Sequence, residues 1–193
     1  MSTLFGPEPV LPNGFSYLPD FITSEEENQL MEIVTALSLQ PLKFQGFEAK
    51  RLTASYGVDY HFDTRDITKG KAIPQEFNFL IQKVASRLAF HADDFAEVLV
   101  TEYPVGSVIN WHRDGPPFEV IAGISLASDC TFRFRPYDKA KQNRKSIITR
   151  NVARRSLYVI RGEAREDWEH SIQPVTEVRF SITLRTLKRE AGF

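Results

Sequence analysis

Hydrophobic side chains recur with a helical period in two segments of the first half of the chain. Thr23 and Ser24 precede Glu26 and Glu27 at the spacing of a helix-starting capping box. Hydrophobic residues then follow at steps of three and four, at Leu30, Ile33, Val34 and Leu37. A second helix is predicted from about Pro74 to Phe90, whereas the Gly- and Pro-rich residues 1–20 predict an extended entry. Each helix has one hydrophobic face, so we expect both to pack against a sheet.

From about residue 95 the pattern changes to short segments rich in Val, Ile, Phe and Tyr, separated by turn residues. These segments are EVLVTEY, VINW, VIAGISL, TFRFR, SLYVI and VRFSITLRTL. No helical pattern lies between them, so we expect antiparallel strands that form a barrel or a sandwich. The predicted fold class is α+β, with the helices covering one side of the strands.

The composition adds limits on class and location. A chain of 193 residues with 42% hydrophobic and 25% charged residues is typical of one soluble folded domain. The single cysteine, Cys130, excludes an internal disulfide and a cysteine-built zinc or iron–sulfur site. No signal peptide or membrane-spanning run is found, so we expect a cytoplasmic protein without membrane contact. We also expect a monomer. The formal net charge of −1 leaves any affinity for nucleic acid to a local patch.

Three of the four histidines begin a His-x-Asp triplet, so the triplet alone does not identify a metal site. Alternate residues of a strand point the same way, which allows an imidazole and a carboxylate two positions apart to bind one metal. His91, at the end of the second helix, is expected to cap that helix or to face water. His61 lies in a polar stretch, where a surface or substrate-side role fits better. His112 and Asp114 follow two predicted strands and are the favoured pair.

His170 is the predicted third ligand. Two histidines and one carboxylate leave three positions open on ferrous iron, as an oxygen-activating site requires. A lone histidine beside Trp168 is also typical of a packed structural residue, so both interpretations stay open.

The last strand segment, VRFSITLRTL, alternates hydrophobic with polar residues. Its polar face carries Arg179, Ser181, Thr183 and Arg185. The Cα atoms of the two arginines would be roughly 20 Å apart at about 3.3 Å per residue. Their side chains, reaching inward, could bind the two ends of a short dicarboxylate such as 2-oxoglutarate. An ordinary surface strand would show the same alternation.

Taken in order, Tyr103-x-x-Gly106, His112-Arg113-Asp114, His170 and Arg179-x-Ser181-x-x-x-Arg185 resemble the AlkB family of iron(II)- and 2-oxoglutarate-dependent dioxygenases. The resemblance runs from about residue 97 to 188, and RLTASYGVDYHF is similar to the family's substrate lid. It implies a single dioxygenase domain over residues 1–193. An N-terminal extension with helices and lid would span 1–95, and a double-stranded β-helix (jelly-roll) core of antiparallel strands would span 96–188.

The resemblance also implies Fe(II), O2 and the cosubstrate 2-oxoglutarate. His112, Asp114 and His170 would bind the iron and form the catalytic centre. Tyr103, Arg179 and Ser181 would hold the distal carboxylate of 2-oxoglutarate, and Arg185 would lie by the carboxylate that ligates the metal. Two positions depart from the family: Thr101 replaces an asparagine, and Gly115-Pro116-Pro117 stands where the best-known bacterial member has an acidic group facing the base.

The activity implied by the resemblance is oxidative demethylation of N-alkylated bases such as 1-methyladenine and 3-methylcytosine in DNA or RNA, with release of formaldehyde and succinate. The residues expected to contact the substrate are Lys50, Arg51, Tyr56, Tyr60, His61, Arg135, Arg165 and Trp168.

The segment from Lys139 to Arg155 contains seven Lys and Arg residues and no acid, which fits a phosphate-binding track or an ordinary solvated face. Two rival functions remain: an oxygenase of the same chemistry that acts on a protein side chain or a small metabolite, and a barrel that only binds a ligand or partner.

Overall fold

Two antiparallel sheets and three short helices make up the fold of the described residues. The computed structural model describes residues 10–44, 47–61, 64 and 66–189, with only the backbone described for 42–44, 47 and 48. The helices are α1 (Ser24–Thr35), α2 (Asn78–Leu88) and α3 (Glu163–Glu166). The strands are β1 (Phe15–Leu18), β2 (Gln40–Phe44), β3 (Phe47–His61), β4 (Asp66–Lys69), β5 (Phe95–Tyr103), β6 (Ile109–His112), β7 (Phe118–Leu126), β8 (Cys130–Pro136), β9 (Ile148–Val152), β10 (Leu157–Ile160), β11 (Trp168–Ile172) and β12 (Arg179–Leu187).

The major sheet has eight strands and the minor sheet four. In the major sheet the order is β1-β10-β7-β12-β5-β3-β2, with β4 paired to β3 alone. In the minor sheet the order is β6-β11-β8-β9. Neighbouring strands in either sheet are often distant in sequence, which is the crossover pattern of a double-stranded β-helix. The predicted fold class is therefore confirmed.

Helices α1 and α2 cover one face of the major sheet, as expected from their hydrophobic faces. Helix α1 begins after Thr23, whose hydroxyl accepts from the Glu26 N–H while the Glu26 carboxylate accepts from the Thr23 N–H. Leu30 and Val34 of α1 are fully buried. They share one hydrophobic core with residues of α2 and of the central strands: Leu80, Val84, Val98, Val100, Ile124, Ile182 and Leu184.

A second hydrophobic core lies between the two sheets. The minor sheet contributes Phe132 and Phe134 from β8, and the major sheet contributes Tyr103, Ile121 and Tyr158. Because side chains alternate along each strand, the central strands of the major sheet point one set of residues to the helices and the other to the minor sheet. That second set includes the polar face of β12.

The structure also differs from the sequence prediction in several elements. Helix α2 begins at Asn78 rather than near Pro74, because residues Gln75–Phe77 form a 3₁₀ turn. The extended entry contains β1, which pairs with β10. The lid-like stretch is mostly the long strand β3, whose residues 52–57 pair with β5 of the major sheet. Strands β1 and β3, which come before residue 95, thus belong to the same sheet as strands that come after it.

None of the helices among the described residues has the length and apolar character needed to cross a membrane.

Candidate active site

The two histidines predicted as metal ligands are cross-strand neighbours. His112 ends β6, His170 lies in β11, and the register pairs them directly in the minor sheet. Their ring centroids are 4.3 Å apart. With Asp114, two residues beyond His112, they form a group in which one ligand atom from each residue lies within 4.8 Å of the others. No other such metal-ligating group occurs among the described residues.

Hydrogen bonding and burial prepare both imidazoles to act as ligands. His112 Nδ1 is 2.9 Å from the carbonyl oxygen of Asn110. Because a carbonyl can only accept, Nδ1 carries the hydrogen, and the Nε2 lone pair of the neutral ring stays available. Burial, together with the nearby His112, lowers the pKa of His170 to about 3, so this ring is neutral in ordinary buffers. His170 also stacks on Phe132, with ring centroids 5.7 Å apart.

Asp114 is held as a carboxylate with one oxygen unused. Its Oδ1 accepts from Arg185 Nη2 at 2.6 Å, whereas its buried Oδ2 has no hydrogen-bond partner among the described residues. Burial alone would raise the Asp114 pKa, but the charge of Arg185, together with smaller contributions from His170, His112 and Arg165, outweighs it and holds that pKa well below its usual range. A free carboxylate oxygen beside two imidazole nitrogens suits ferrous iron with three positions left open. These residues therefore fit the metal that the fold implies.

Two further residues hold this ligand set, and sequence reasoning missed the role of both. Glu97, 3% exposed, accepts from Arg185 Nη1 at 2.7 Å and from Ser55 Oγ at 3.0 Å. Arg185 therefore bridges Glu97 and Asp114. Arg165, which is buried, donates to the backbone carbonyls of Asp114 and Gly115 at 3.0 and 2.6 Å. The signal for Glu97 was its inward position in the otherwise hydrophobic start of β5.

Arg179 forms a second buried cationic site behind Tyr103. The side chain is fully buried, its Nε donates to Ser125 Oγ at 3.0 Å, and its Cζ is 4.8 Å from the Tyr103 ring centroid. Tyr103 Oη is also 3.4 Å from Ser181 Oγ. Both terminal nitrogens of Arg179 are buried without a hydrogen-bond partner among the described residues. An unpaired buried guanidinium suits a carboxylate ligand, which is the group that 2-oxoglutarate offers.

One cavity of about 870 Å³ contains the metal-ligand group and reaches Tyr103, Thr101, Thr183 and Arg185. Arg179 and Ser181 are not part of its wall, although both contact Tyr103, which is. Lys50, Arg51 and Tyr60, all predicted to contact substrate, line the same cavity. A Cβ at Gly115 would lie 2.8 Å from the Tyr60 ring. Tyr60 therefore occupies the space that an acidic side chain at position 115 would need.

The other predicted substrate residues lie outside the lining of this cavity, and their contact with a substrate stays a prediction. Tyr56 packs on the helix side of the major sheet, with its ring 6.4 Å from that of Phe77. His61 is exposed, with Nε2 2.8 Å from Thr68 Oγ1 in the β3–β4 hairpin. Arg165 lies behind the metal ligands, bonded as described above.

Arg135 and Trp168 are likewise held by neighbouring acids instead of lining the cavity. Arg135 forms an ion pair with Glu169 at 2.6 Å. The Trp168 Nε1 donates to Glu163 Oε1 at 3.3 Å. The sequence could not show these partners, since each one depends on how β8, α3 and β11 pack.

The remaining His-x-Asp triplets do not form metal-ligand groups in the part of the chain that is described. His91 is exposed and precedes a 3₁₀ turn over Ala92–Asp94. Asp63, the partner of His61, lies outside the described residues.

The basic segment 139–155 divides into an exposed loop and a packed part. Arg154 and Arg155 pair with Glu27 at 2.6 and 3.4 Å. Arg150 stacks on Tyr17, with Cζ 4.5 Å from the ring centroid. These contacts engage three of the seven basic side chains of the segment, and a phosphate track along it stays a prediction.

Comparisons of the sequence with known proteins agree with this geometry. The profile described as "2OG-Fe(II) oxygenase superfamily" matches residues 14–185. The chain is 28% identical over 200 residues to "Alkylated DNA repair protein ALKBH8 homolog" of Arabidopsis thaliana, covering 91% of this chain and 56% of that protein. It is 27% identical over 199 residues to "tRNA (carboxymethyluridine(34)-5-O)-methyltransferase alkbh8" of Xenopus tropicalis, covering 95% of this chain and 30% of that protein. The chain thus spans only part of the length of these two relatives.

Solved structures share the fold at low sequence identity. "The structure of OsALKBH1" superposes with a TM-score of 0.70 at 13% identity, covering 93% of this chain and 100% of that one. A prolyl hydroxylase from Trichoplax adhaerens, in complex with a peptide of hypoxia inducible factor, gives a TM-score of 0.62 at 14% identity and covers 91% and 84%. Because the profile matches most of the chain and the relatives are AlkB homologues, the chain belongs to the 2OG-Fe(II) oxygenase superfamily and is AlkB-like.

Proposed function

We propose that this chain oxidatively demethylates N-alkylated bases in DNA or RNA, with Fe(II) and 2-oxoglutarate bound at the site described above. The observation that carries the proposal is the His112, Asp114 and His170 group, within 4.8 Å, in the wall of a cavity that also contains Lys50, Arg51 and Tyr60. An oxidising centre and cationic and aromatic side chains suited to a nucleotide thus share one space.

His112 Nε2, the free oxygen of Asp114 and a ring nitrogen of His170 are the proposed metal ligands. The Nδ1 hydrogen bond fixes the His112 ring, and the bridge from Arg185 keeps Asp114 ionised and oriented. When bound, iron with 2-oxoglutarate and O2 supplies the oxidation of an N-methyl group to hydroxymethyl, which leaves as formaldehyde while 2-oxoglutarate becomes succinate and CO2. Since His170 is held neutral and Asp114 is held ionised, neither of these two ligands must lose a proton at neutral pH before binding.

For the cosubstrate, we propose that Arg179 binds the distal carboxylate of 2-oxoglutarate with help from Tyr103 and Ser181. Its two unpaired terminal nitrogens match the two oxygens of a carboxylate. Arg185 would contact the carboxylate nearer the metal. Thr101, which pairs with Ser181 across β5 and β12, would lie beside the chain of the keto acid.

For the substrate, the size and the chemistry of the cavity support a nucleobase. Sites for drug-sized ligands measure about 300–1,000 Å³, so a cavity of about 870 Å³ leaves room for a second molecule beside a five-carbon keto acid. Tyr60 offers a ring for stacking, and Lys50 and Arg51 offer positive charge for a phosphate. The names of the Arabidopsis and Xenopus relatives refer to DNA and tRNA respectively, which supports a nucleic-acid substrate.

The direct test is formaldehyde release from single-stranded DNA and RNA oligonucleotides that carry one 1-methyladenine or 3-methylcytosine, in the presence of Fe(II), 2-oxoglutarate and ascorbate. We expect release from at least one of these, with succinate formed in equal amount, and none with Asp114→Ala. If the protein forms succinate with another class of substrate but never with methylated oligonucleotides, the superfamily chemistry stands and the demethylase proposal is wrong. If it forms no succinate although 2-oxoglutarate and metal bind, a binding function is favoured instead.

A further inference from the structure

We propose that the single strand flanking the reactive nucleotide binds along a surface of stacked arginine and aromatic side chains that leads from the cavity mouth to the loop after β8. We call this surface the stacking strip; it consists of Trp111, Arg113, Arg133, Arg135 and Tyr137. The inference rests on the proposed nucleic-acid substrate and adds to it the path of the strand outside the cavity.

The strip begins at the metal-ligand strand itself. Trp111 and Arg113, on either side of His112, both line the cavity. Arg133 and Arg135 of β8 stack on the Trp111 ring, with Cζ atoms 4.9 and 4.6 Å from its centroid. Arg135 is neutralised by Glu169, whereas Arg133 donates only to Ser171 Oγ and forms no ion pair among the described residues. The cavity lining therefore includes an aromatic ring with a net positive neighbour.

Tyr137 continues the strip beyond the mouth. It is 50% exposed, and Arg113 lies against its ring with Cζ 3.6 Å from the centroid. Arg113 is itself fixed by donating to the carbonyl oxygen of Glu166 at 2.6 Å. The Tyr137 N–H donates to the carbonyl of Asp167 at 2.8 Å. Tyr137 is thus an exposed aromatic ring that Arg113 holds in place. Because Arg113 lies between His112 and Asp114 in sequence, the ring has a fixed position relative to the metal-ligand group.

The loop that follows Tyr137 supplies positive charge. Lys139, Arg144 and Lys145 are exposed and form no ion pair within the described part of the chain. Lys141 forms an ion pair with Asp138, with its Nζ 3.8 Å from Oδ2. The loop is ordered by its own hydrogen bonds: the Asn143 side chain accepts from the Lys145 and Ser146 N–H groups, and Gln142 donates to the carbonyl of Pro136 at 2.8 Å.

Aromatic rings beside cations, most of which lack an acidic partner among the described residues, fit a single-stranded nucleic acid better than an acidic peptide. Bases stack on aromatic rings irrespective of sequence, and phosphates between them bind Lys and Arg. An acidic peptide would use the cations of the loop but would gain little from Tyr137. Replacement of Tyr137 therefore distinguishes a nucleic-acid ligand from an acidic peptide.

The experiment measures binding of a fluorescein-labelled ten-nucleotide single strand by anisotropy, with Mn(II) and 2-oxoglutarate present, over a range of salt concentrations. Tyr137→Ala is expected to weaken binding about tenfold, whereas Tyr137→Phe, which keeps the ring, retains it. Arg144→Gln with Lys145→Gln is expected to reduce the slope of log K against log salt by about 0.7 for every phosphate that the variant no longer binds. The matched control removes two exposed arginines outside the strip, Arg87→Gln with Arg161→Gln, and leaves the slope unchanged.

Three results would overturn the stacking strip. The first is equal binding by Tyr137→Ala and the wild type. The second is an equal loss in the Arg87/Arg161 control. The third is poly-glutamate binding as tight as that of the oligonucleotide, which would show that the loop responds to charge alone. Because binding is measured without turnover, absence of formaldehyde from every methylated oligonucleotide would refute the demethylase activity and still leave the strip tested separately.

Discussion

At the scale of single residues, the site depends on charged groups whose partners are few and close. Arg185 holds two carboxylates with its two terminal nitrogens, and Arg179 keeps both of its terminal nitrogens without a partner among the described residues. A buried guanidinium cannot lose its proton, so it either has a partner or costs stability. Arg185 therefore orients Asp114, whereas the terminal nitrogens of Arg179 are donors that suit an anionic ligand.

Arg179→Ala should weaken 2-oxoglutarate binding about 100-fold or more, because it removes charge-assisted hydrogen bonds to the distal carboxylate. Mn(II) affinity should not change, since Arg179 lies outside the ligand group. Isothermal titration of each ligand measures both constants, and circular dichroism checks that the variant is folded. Unchanged affinity for 2-oxoglutarate in a folded variant would contradict the assignment.

Glu97→Gln should lower Mn(II) affinity about tenfold, since partners that orient a metal ligand are typically worth a factor of 10 to 100. The neutral amide keeps the shape but weakens the hold on Arg185, and with it the orientation of Asp114. Glu102→Gln is the matched control, because Glu102 occupies a position of opposite parity on the same strand and does not line the cavity. A metal affinity equal to that of the wild type would refute a positioning role for Glu97.

At the scale of elements, Glu27 ties helix α1 to the two loops that join β7 to β8 and β9 to β10. Its side chain is 1% exposed; it accepts from the Ala127 N–H at 2.9 Å and pairs with Arg154 at 2.6 Å. Burial would raise the Glu27 pKa, but these hydrogen bonds and the charges of Arg154 and Arg155 outweigh it and lower the pKa below 4.5.

The depressed pKa fixes the sign of the pH dependence. A carboxyl group with a lower pKa in the folded state stabilises the fold above its unfolded pKa, and that contribution is lost as the pH falls through the folded value. Glu27→Gln should therefore reduce the free energy of unfolding by about 2 kcal/mol at pH 7, and the difference from the wild type should shrink below roughly pH 4.5. Urea titrations at several pH values measure this.

Glu32→Gln, an exposed position of the same helix, serves as the control and should change stability little. A Glu27→Gln variant as stable as the wild type at neutral pH would contradict the account of this contact.

At the scale of the whole molecule, the fold class could be predicted from the sequence because the periodicity of hydrophobic residues and the spacing of capping residues are local features. The α1 capping box, the alternation in β12 and the late strands needed no knowledge of distant partners, and all are confirmed. Strand β3 was missed because its cavity face carries Arg51, Thr53 and Ser55, which resemble a polar loop in sequence. Only pairing with β5 makes that polar face one wall of the cavity.

The same distinction applies to the site. The proximity of His112 and His170 could be inferred from the ordered motifs, whereas the placement of Arg165, Arg135 and Trp168 depended on contacts between distant elements. Arg165 has the charge expected of a substrate-binding residue, yet it lies behind Asp114 and holds the backbone there. The division at residue 95 and the monomeric state stay predictions.

The central claim is that His112, Asp114 and His170 bind one ferrous ion next to 2-oxoglutarate. A crystal structure of the protein with Mn(II) and 2-oxoglutarate, with the metal located by its anomalous scattering, tests this most directly. The account predicts one strong peak bound by these three residues, with the keto acid completing the coordination and its distal carboxylate on Arg179. A metal bound elsewhere, or a keto acid turned away from Arg179, would contradict it.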